Sequence, residues 1–186
     1  MQGMSTPSPS RSAVRRVRMA YSRLSEADRP EVWIHLAPID AALAAAKAVD
    51  DAVAAGASLP LAGVVIAVKD NIDVAGMPTT AACPAFRYFP DICAPAVQLL
   101  VDAGAIIIGK TNMDQFATGL VGTRSPYGAV RNAINEHWMS GGSSSGSAVA
   151  VALGIVDGAL GTDMLARGEC LPHSTAWSEP SPRAVG

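Results

Sequence analysis

Charge is scarce in this chain. Asp, Glu, Lys and Arg supply only 16% of its 186 residues and sum to a net charge of −2. The one basic cluster is short, Arg11, Arg15, Arg16 and Arg18 near the N-terminus. That excludes the long basic face of a nucleic-acid groove. Cysteine is rare and odd in number, with Cys83, Cys93 and Cys170 far apart. This count argues against a disulfide scaffold and points to a reducing, cytoplasmic setting. His35, His137 and His173 are also scattered and form no metal-ligand spacing with the cysteines, so no metal is expected. They read as surface or structural histidines. No apolar run reaches the ~18 residues of a membrane span. The N-terminal arginines are not followed by an apolar stretch and cleavage site, so neither membrane insertion nor secretion is expected.

What the chain does have is apolar mass. Hydrophobic residues make up 49%, much of it alanine, which predicts a packed body. Residues 1–10 are Ser-, Pro- and Gly-rich and are expected to be disordered. In 11–24, Val14, Val17, Tyr21 and Leu24 recur at helical spacing. A second helix is expected from Pro38 through 41–55, stopped by Gly56. The texture changes at Leu59. Residues 63–68 form a β-branched run and read as a buried strand, 94–103 as a helix, and 105–108 as a second buried strand. A short helix is expected over 113–120. A Gly/Ser loop over 141–147 leads into an apolar helix at 148–153. Alternating strands and helices predict an α/β fold with a largely parallel sheet.

Two features carry chemistry. Ser140-Gly141-Gly142-Ser143-Ser144-Ser145-Gly146-Ser147 can present many backbone N–H groups, with a helix N-terminus behind them. Composition alone would favour a flexible linker, but a linker would not normally run straight into Ala148-Val149-Ala150-Val151-Ala152-Leu153. The other feature is Lys69, at the carboxyl end of the first apolar strand, where open α/β sheets place ligands. A lysine in a dry site can serve as a base, while a solvated lysine would be unremarkable chemically. A third stretch is a decoy. Gly104–Thr111 matches the phosphate-binding pattern G-x-x-x-x-G-K-[ST], but its apolar residues 105–108 fill the gap between the glycines as a strand, where that motif needs a loop.

Val68-Lys69-Asp70-Asn71 resembles the lysine motif of the amidase-signature family, and Gly141–Ser147 resembles its Gly/Ser motif. The similarity covers about residues 33–163, including Thr79-Thr80-Ala81-Ala82-Cys83-Pro84 and Gly109-Lys110-Thr111-Asn112-Met113-Asp114. Within the family, residues 114–128 look most like allophanate hydrolases; general amidases usually carry a Glu-containing version of this stretch. The resemblance implies the N-terminal part of an amidase-signature domain, with a mixed, largely parallel sheet flanked by helices. It also implies a Ser–Ser–Lys triad that needs no cofactor. Lys69 would be the base and Ser143 the middle serine, held in a cis peptide. The substrate would be a small-molecule amide, allophanate first, and the full-length parent a homodimer.

The chain then departs from the family. The next family motif resembles G-T-D-T-A-G-S-G-R, whose serine is the nucleophile. Here Gly161-Thr162-Asp163 is followed by Met164-Leu165-Ala166-Arg167, so Arg167 stands 24 residues past Ser143. An arginine stays protonated and cannot attack a carbonyl. Back-translation explains the substitution. Asp163–Gly168 written GAC-ATG-CTG-GCT-CGG-GGC, read from the third base of ATG, becomes Ala-Gly-Ser-Gly. Permitted codons extend that register to A-G-S-G-R-V-P-A-A-L-D-G-M-V-G-A-K-P-T-R-G-W, which resembles the family continuation. The expectation is a single-base deletion after the Asp163 codon. It divides the chain into 1–10, a partial amidase domain over 11–163, and an out-of-frame tail over 164–186, extended and weakly packed.

Overall fold

The computed structural model describes residues 12–162. The expectations for 1–10 and 164–186, and for Cys170, His173 and Arg167, lie outside the described residues.

Two helices open the fold, and the second caps the first. Helix α1, Ala13–Ala27, starts at Ser12, and its first N–H groups reach an acid on the next helix. Ala13 N and Val14 N donate to the Asp50 carboxylate at 2.7 and 3.2 Å, and the Ser12 hydroxyl donates to it at 2.7 Å. A negative charge at a helix N-terminus satisfies orphan donors and the helix dipole together. Burial works against the charged form of Asp50, but these bonds outweigh it and hold the carboxyl below its usual range. Helix α2, Ile39–Ala54, carries Asp50 and has Pro38 at its N-cap. Gly56 follows at φ +94°, a conformation that glycine adopts without a Cβ penalty. Ala13, Val17 and Ala20 of α1 and Ala42 and Ala46 of α2 are buried in one core, so small side chains let the helices approach.

A four-stranded sheet lies beneath them. Strand β1 is Trp33–Leu36, β2 Val65–Lys69, β3 Ile106–Thr111 and β4 Gly158–Leu160, in the order β1-β3-β2-β4. β2 runs parallel to both β3 and β4, and only β1 is antiparallel, so the sheet is mixed and largely parallel. Helix α3, Pro95–Asp102, connects β2 to β3. The alternation of strand residues divides the core. Val65 and Ala67 pack with the α1–α2 side, while Ile66 and Val68 pack with Val97 of α3. Lys69 therefore projects toward one face and Asp70 toward the other. Among the described residues no helix is long and apolar enough to cross a membrane.

Three expectations need correction. Strands β1 and β4 have no counterpart in the sequence reading; with four and three residues they are too short for a periodic signal. The helix expected over 113–120 is only a three-residue 3-10 turn, Gln115–Ala117. Phe116 and Ala117 take left-handed φ values of 50° and 58°. The cause is Asp114, whose carboxylate accepts the N–H groups of Gly122 and Arg124 at 3.0 and 2.7 Å and pulls the chain into a loop. Finally, helix α4, Ser145–Ala152, begins inside the Gly/Ser stretch rather than after it. Ser145, Gly146 and Ser147 are buried, so this stretch is no linker.

Candidate active site

The site forms where the carboxyl ends of β2 and β3 meet the start of α4. The docking depends on Gly146. A Cβ there would sit 2.5 Å from the Val32 carbonyl oxygen and 2.7 Å from both Asn112 N and Asn112 O. Gly146 N donates to Asn112 O at 3.0 Å, so backbone meets backbone directly. Gly146→Ala is expected to destabilise the chain by about 1–3 kcal/mol through overpacking, read as a lower urea midpoint with an unchanged slope. An unchanged midpoint would show that the helix can back away at little cost.

This docking brings together the two residues singled out in the sequence. Lys69 is fully buried, and its Nζ donates to Ser143 Oγ at 2.8 Å. The Gly142–Ser143 peptide is cis. Lys69 Nζ also donates to Thr162 O at 3.2 Å, which accepts the Ser144 hydroxyl at 3.1 Å as well. Asn71 Nδ2 bonds Thr162 Oγ1 at 2.9 Å. The segment Gly161-Thr162 thus arrives beside the Lys69–Ser143 pair. Ser147 sits deeper: its Oγ lies 2.7 Å from Thr111 Oγ1 and donates to Leu160 O at 3.0 Å. It ties β3, β4 and α4 together.

Behind Lys69, on the opposite face of the sheet, lies a second buried lysine, which the sequence shows within the decoy motif and the family-like stretch 109–114 without assigning it a role. Lys110 is fully buried and pairs with fully buried Asp70 at 3.3 Å. It also donates to Pro78 O at 3.0 Å and Thr79 Oγ1 at 2.9 Å, so two neutral acceptors and the Asp70 charge surround the ammonium. Burial pulls its pKa down, and the Asp70 charge opposes that. The other Asp70 oxygen accepts Thr80 N at 3.0 Å, Ala82 N at 3.4 Å and the Thr80 hydroxyl. The pair therefore holds the 78–82 loop against the strand ends. His35, opposite Lys110 in the β1–β3 register, has its pKa lowered by burial first and by the Lys110 charge second. Asp70, Lys110 and Asp114 lie within stretches that carry the family resemblance but were given no role there; strict alternation would put Lys69 and Lys110 on one face, and the irregularity in the β2–β3 register, which pairs Lys110 with Val68 and Lys69 with Thr111, separates them.

Among the described residues no cluster of three or more His, Cys, Asp or Glu could hold a metal ion. A cavity of about 390 Å³ lies beside β1, lined by residues including Leu24, Arg29 and Trp33. Neither Lys69 nor Ser143 lines it.

The comparisons with known proteins agree on one family. The amidase family model matches residues 15–164. A urea amidolyase of Saccharomyces cerevisiae is 65% identical over 111 residues, covering 60% of this chain and 6% of the yeast protein. The A subunit of a Geobacter metallireducens glutamyl-tRNA(Gln) amidotransferase is 41% identical over 154 residues, 82% of this chain and 32% of its own length. Among solved structures, the Kluyveromyces lactis allophanate hydrolase superposes with a TM-score of 0.66 at 47% identity, over 77% of this chain and 24% of that one. The chain thus spans a third or less of each of these relatives.

Proposed function

The chain belongs to the amidase family, and on that premise we propose that Lys69 and Ser143 are two members of a Ser–Ser–Lys relay for amide hydrolysis, with allophanate as the substrate. The observation that carries this reading is the 2.8 Å bond from a fully buried lysine to Ser143 Oγ. In the relay, neutral Lys69 accepts a proton from Ser143 while Ser143 accepts one from the nucleophilic serine. That serine attacks the amide carbonyl, the relay passes the proton it took up to the departing nitrogen, ammonia leaves, and water clears the acyl-enzyme. Backbone N–H groups near the nucleophile stabilise the tetrahedral oxyanion. The identity to urea amidolyase and the likeness to allophanate hydrolase support the choice of substrate.

The same reading takes residues 11–163 as a partial amidase domain and 164–186 as out-of-frame sequence. Arg167 then occupies the nucleophile's place, and the chain as written does not turn over. Ammonia release from allophanate tests this. The 186-residue chain, and the same chain with Arg167→Ser, should stay at background, because the glycine-rich surroundings of the nucleophile are absent as well. Restoring one base after the Asp163 codon, with the downstream gene, should recover hydrolysis. Strong activity from the 186-residue chain would defeat the reading. A restored gene that ignores allophanate but cleaves another small amide would retain the relay and overturn the substrate.

A further inference from the structure

Asp114 is fully buried, and every polar group it offers near the site is turned to the Gly/Ser loop or to the loop that covers it. Its backbone N donates to Ser143 O at 3.1 Å. One carboxylate oxygen accepts Arg124 N at 2.7 Å and the other Gly122 N at 3.0 Å. The packing around it leaves no slack. A Cβ on Gly142 would lie 2.2 Å from Asp114 Oδ2, and one on Gly119 would lie 2.4 Å from the same oxygen. Gly142 N in turn donates to Leu120 O at 2.9 Å. One carboxylate therefore gathers the 119–124 loop and the Gly142–Ser143 peptide into one body. Gly122 N and Arg124 N both donate, so the side chain must present two acceptors.

We propose that Asp114 is a positioning residue for the proton relay, holding Ser143 at the angle and distance from which its hydroxyl meets Lys69. This rests on the reading of Lys69 and Ser143 as relay partners. The physical demand is for a carboxylate of this length. Asparagine would set an NH2 against one of two N–H donors, and glutamate would push a methylene into the space that Gly119 and Gly142 leave open.

The chain has only three lysines, Lys47, Lys69 and Lys110, which makes a direct test possible. The 186-residue protein labelled with 13C at lysine Cε gives three side-chain signals, each of which can be titrated. Lys47 is exposed and serves as the reference, and Lys110 reports the buried frame on the opposite face of the sheet. Ser143→Ala should shift the Lys69 signal and its titration midpoint, because the hydroxyl is its partner. Asp114→Asn should move Lys69 the same way and leave Lys110 in place. If Ser143→Ala does not move Lys69, the relay reading fails. If Ser143→Ala moves it and Asp114→Asn does not, the relay survives and the Asp114 proposal is overturned. Should Asp114→Asn disturb Lys110 as well, the frame itself has been lost, and Gly119→Ala decides. Its Cβ presses on the carboxylate without removing it, so Lys69 must move with Lys110 unchanged, or the proposal fails.

Discussion

In the in-frame enzyme, Lys69→Ala and Ser143→Ala should each lower the turnover of allophanate by about a hundred- to ten-thousand-fold, the range that positioned proton transfer contributes. The two losses should not add. Members of one relay act as a unit, so the double variant should fall little below the worse single one. KM should change less than kcat, since both side chains meet each other and the nucleophile rather than anchoring the substrate. Ser147→Ala provides the contrast. Its hydroxyl bonds Thr111 Oγ1 and Leu160 O, a tie between strands and helix. Losing those bonds costs stability of about 1 kcal/mol and leaves turnover within roughly tenfold. Steady-state kinetics of the four proteins decide the matter. If Lys69→Ala keeps near-normal turnover, its bond to Ser143 is only structural. If the double variant loses the product of the two single effects, the residues act independently and there is no relay.

The largest effect on stability is expected at the other lysine. Lys110→Met removes a buried cation and leaves Asp70 charged in an enclosed site, a change that costs about 3–5 kcal/mol. Small domains are stable by about 5–15 kcal/mol, so such a loss could leave much of the chain unfolded at room temperature. The Asp70 carboxylate still needs its donors at Thr80 and Ala82, and an asparagine oxygen can accept from one of them. Asp70→Asn combined with Lys110→Met should therefore be more stable than the sum of the single losses, with a coupling of about 1–3 kcal/mol. Urea unfolding of the two single variants and the double variant closes the cycle. A Lys110→Met variant within about 1 kcal/mol of the parent would mean that the site readily admits water or relaxes. Zero coupling would mean that the 3.3 Å pair contributes nothing of its own.

Much of the framework was legible in the sequence because it depends on local patterns. Apolar runs at 63–68 and 105–108 mark β2 and β3, and helical spacing with Pro38 and Gly56 marks α1 and α2; the boundaries shift by a few residues. Lys69 and Ser143 were also legible, as residues of two motifs 74 positions apart. Their meeting was not. It depends on Gly146 allowing α4 against β3, on a parallel β2–β3 register that aligns Lys69 with Thr111, and on Thr162 arriving from β4. Those are contacts between distant segments, and no local pattern encodes their geometry. The sequence determined the residue types and the order of the elements. The tertiary structure decided which buried lysine faces Ser143 and which is spent on Asp70, because a register shift between β2 and β3 pairs Lys110 with Val68 and Lys69 with Thr111, which sends the two lysines to opposite faces of one sheet. It also overruled the helix expected at 113–120. There, two backbone N–H groups eight and ten residues beyond Asp114 offered its carboxylate better partners than a helix could, and the chain turned to reach them.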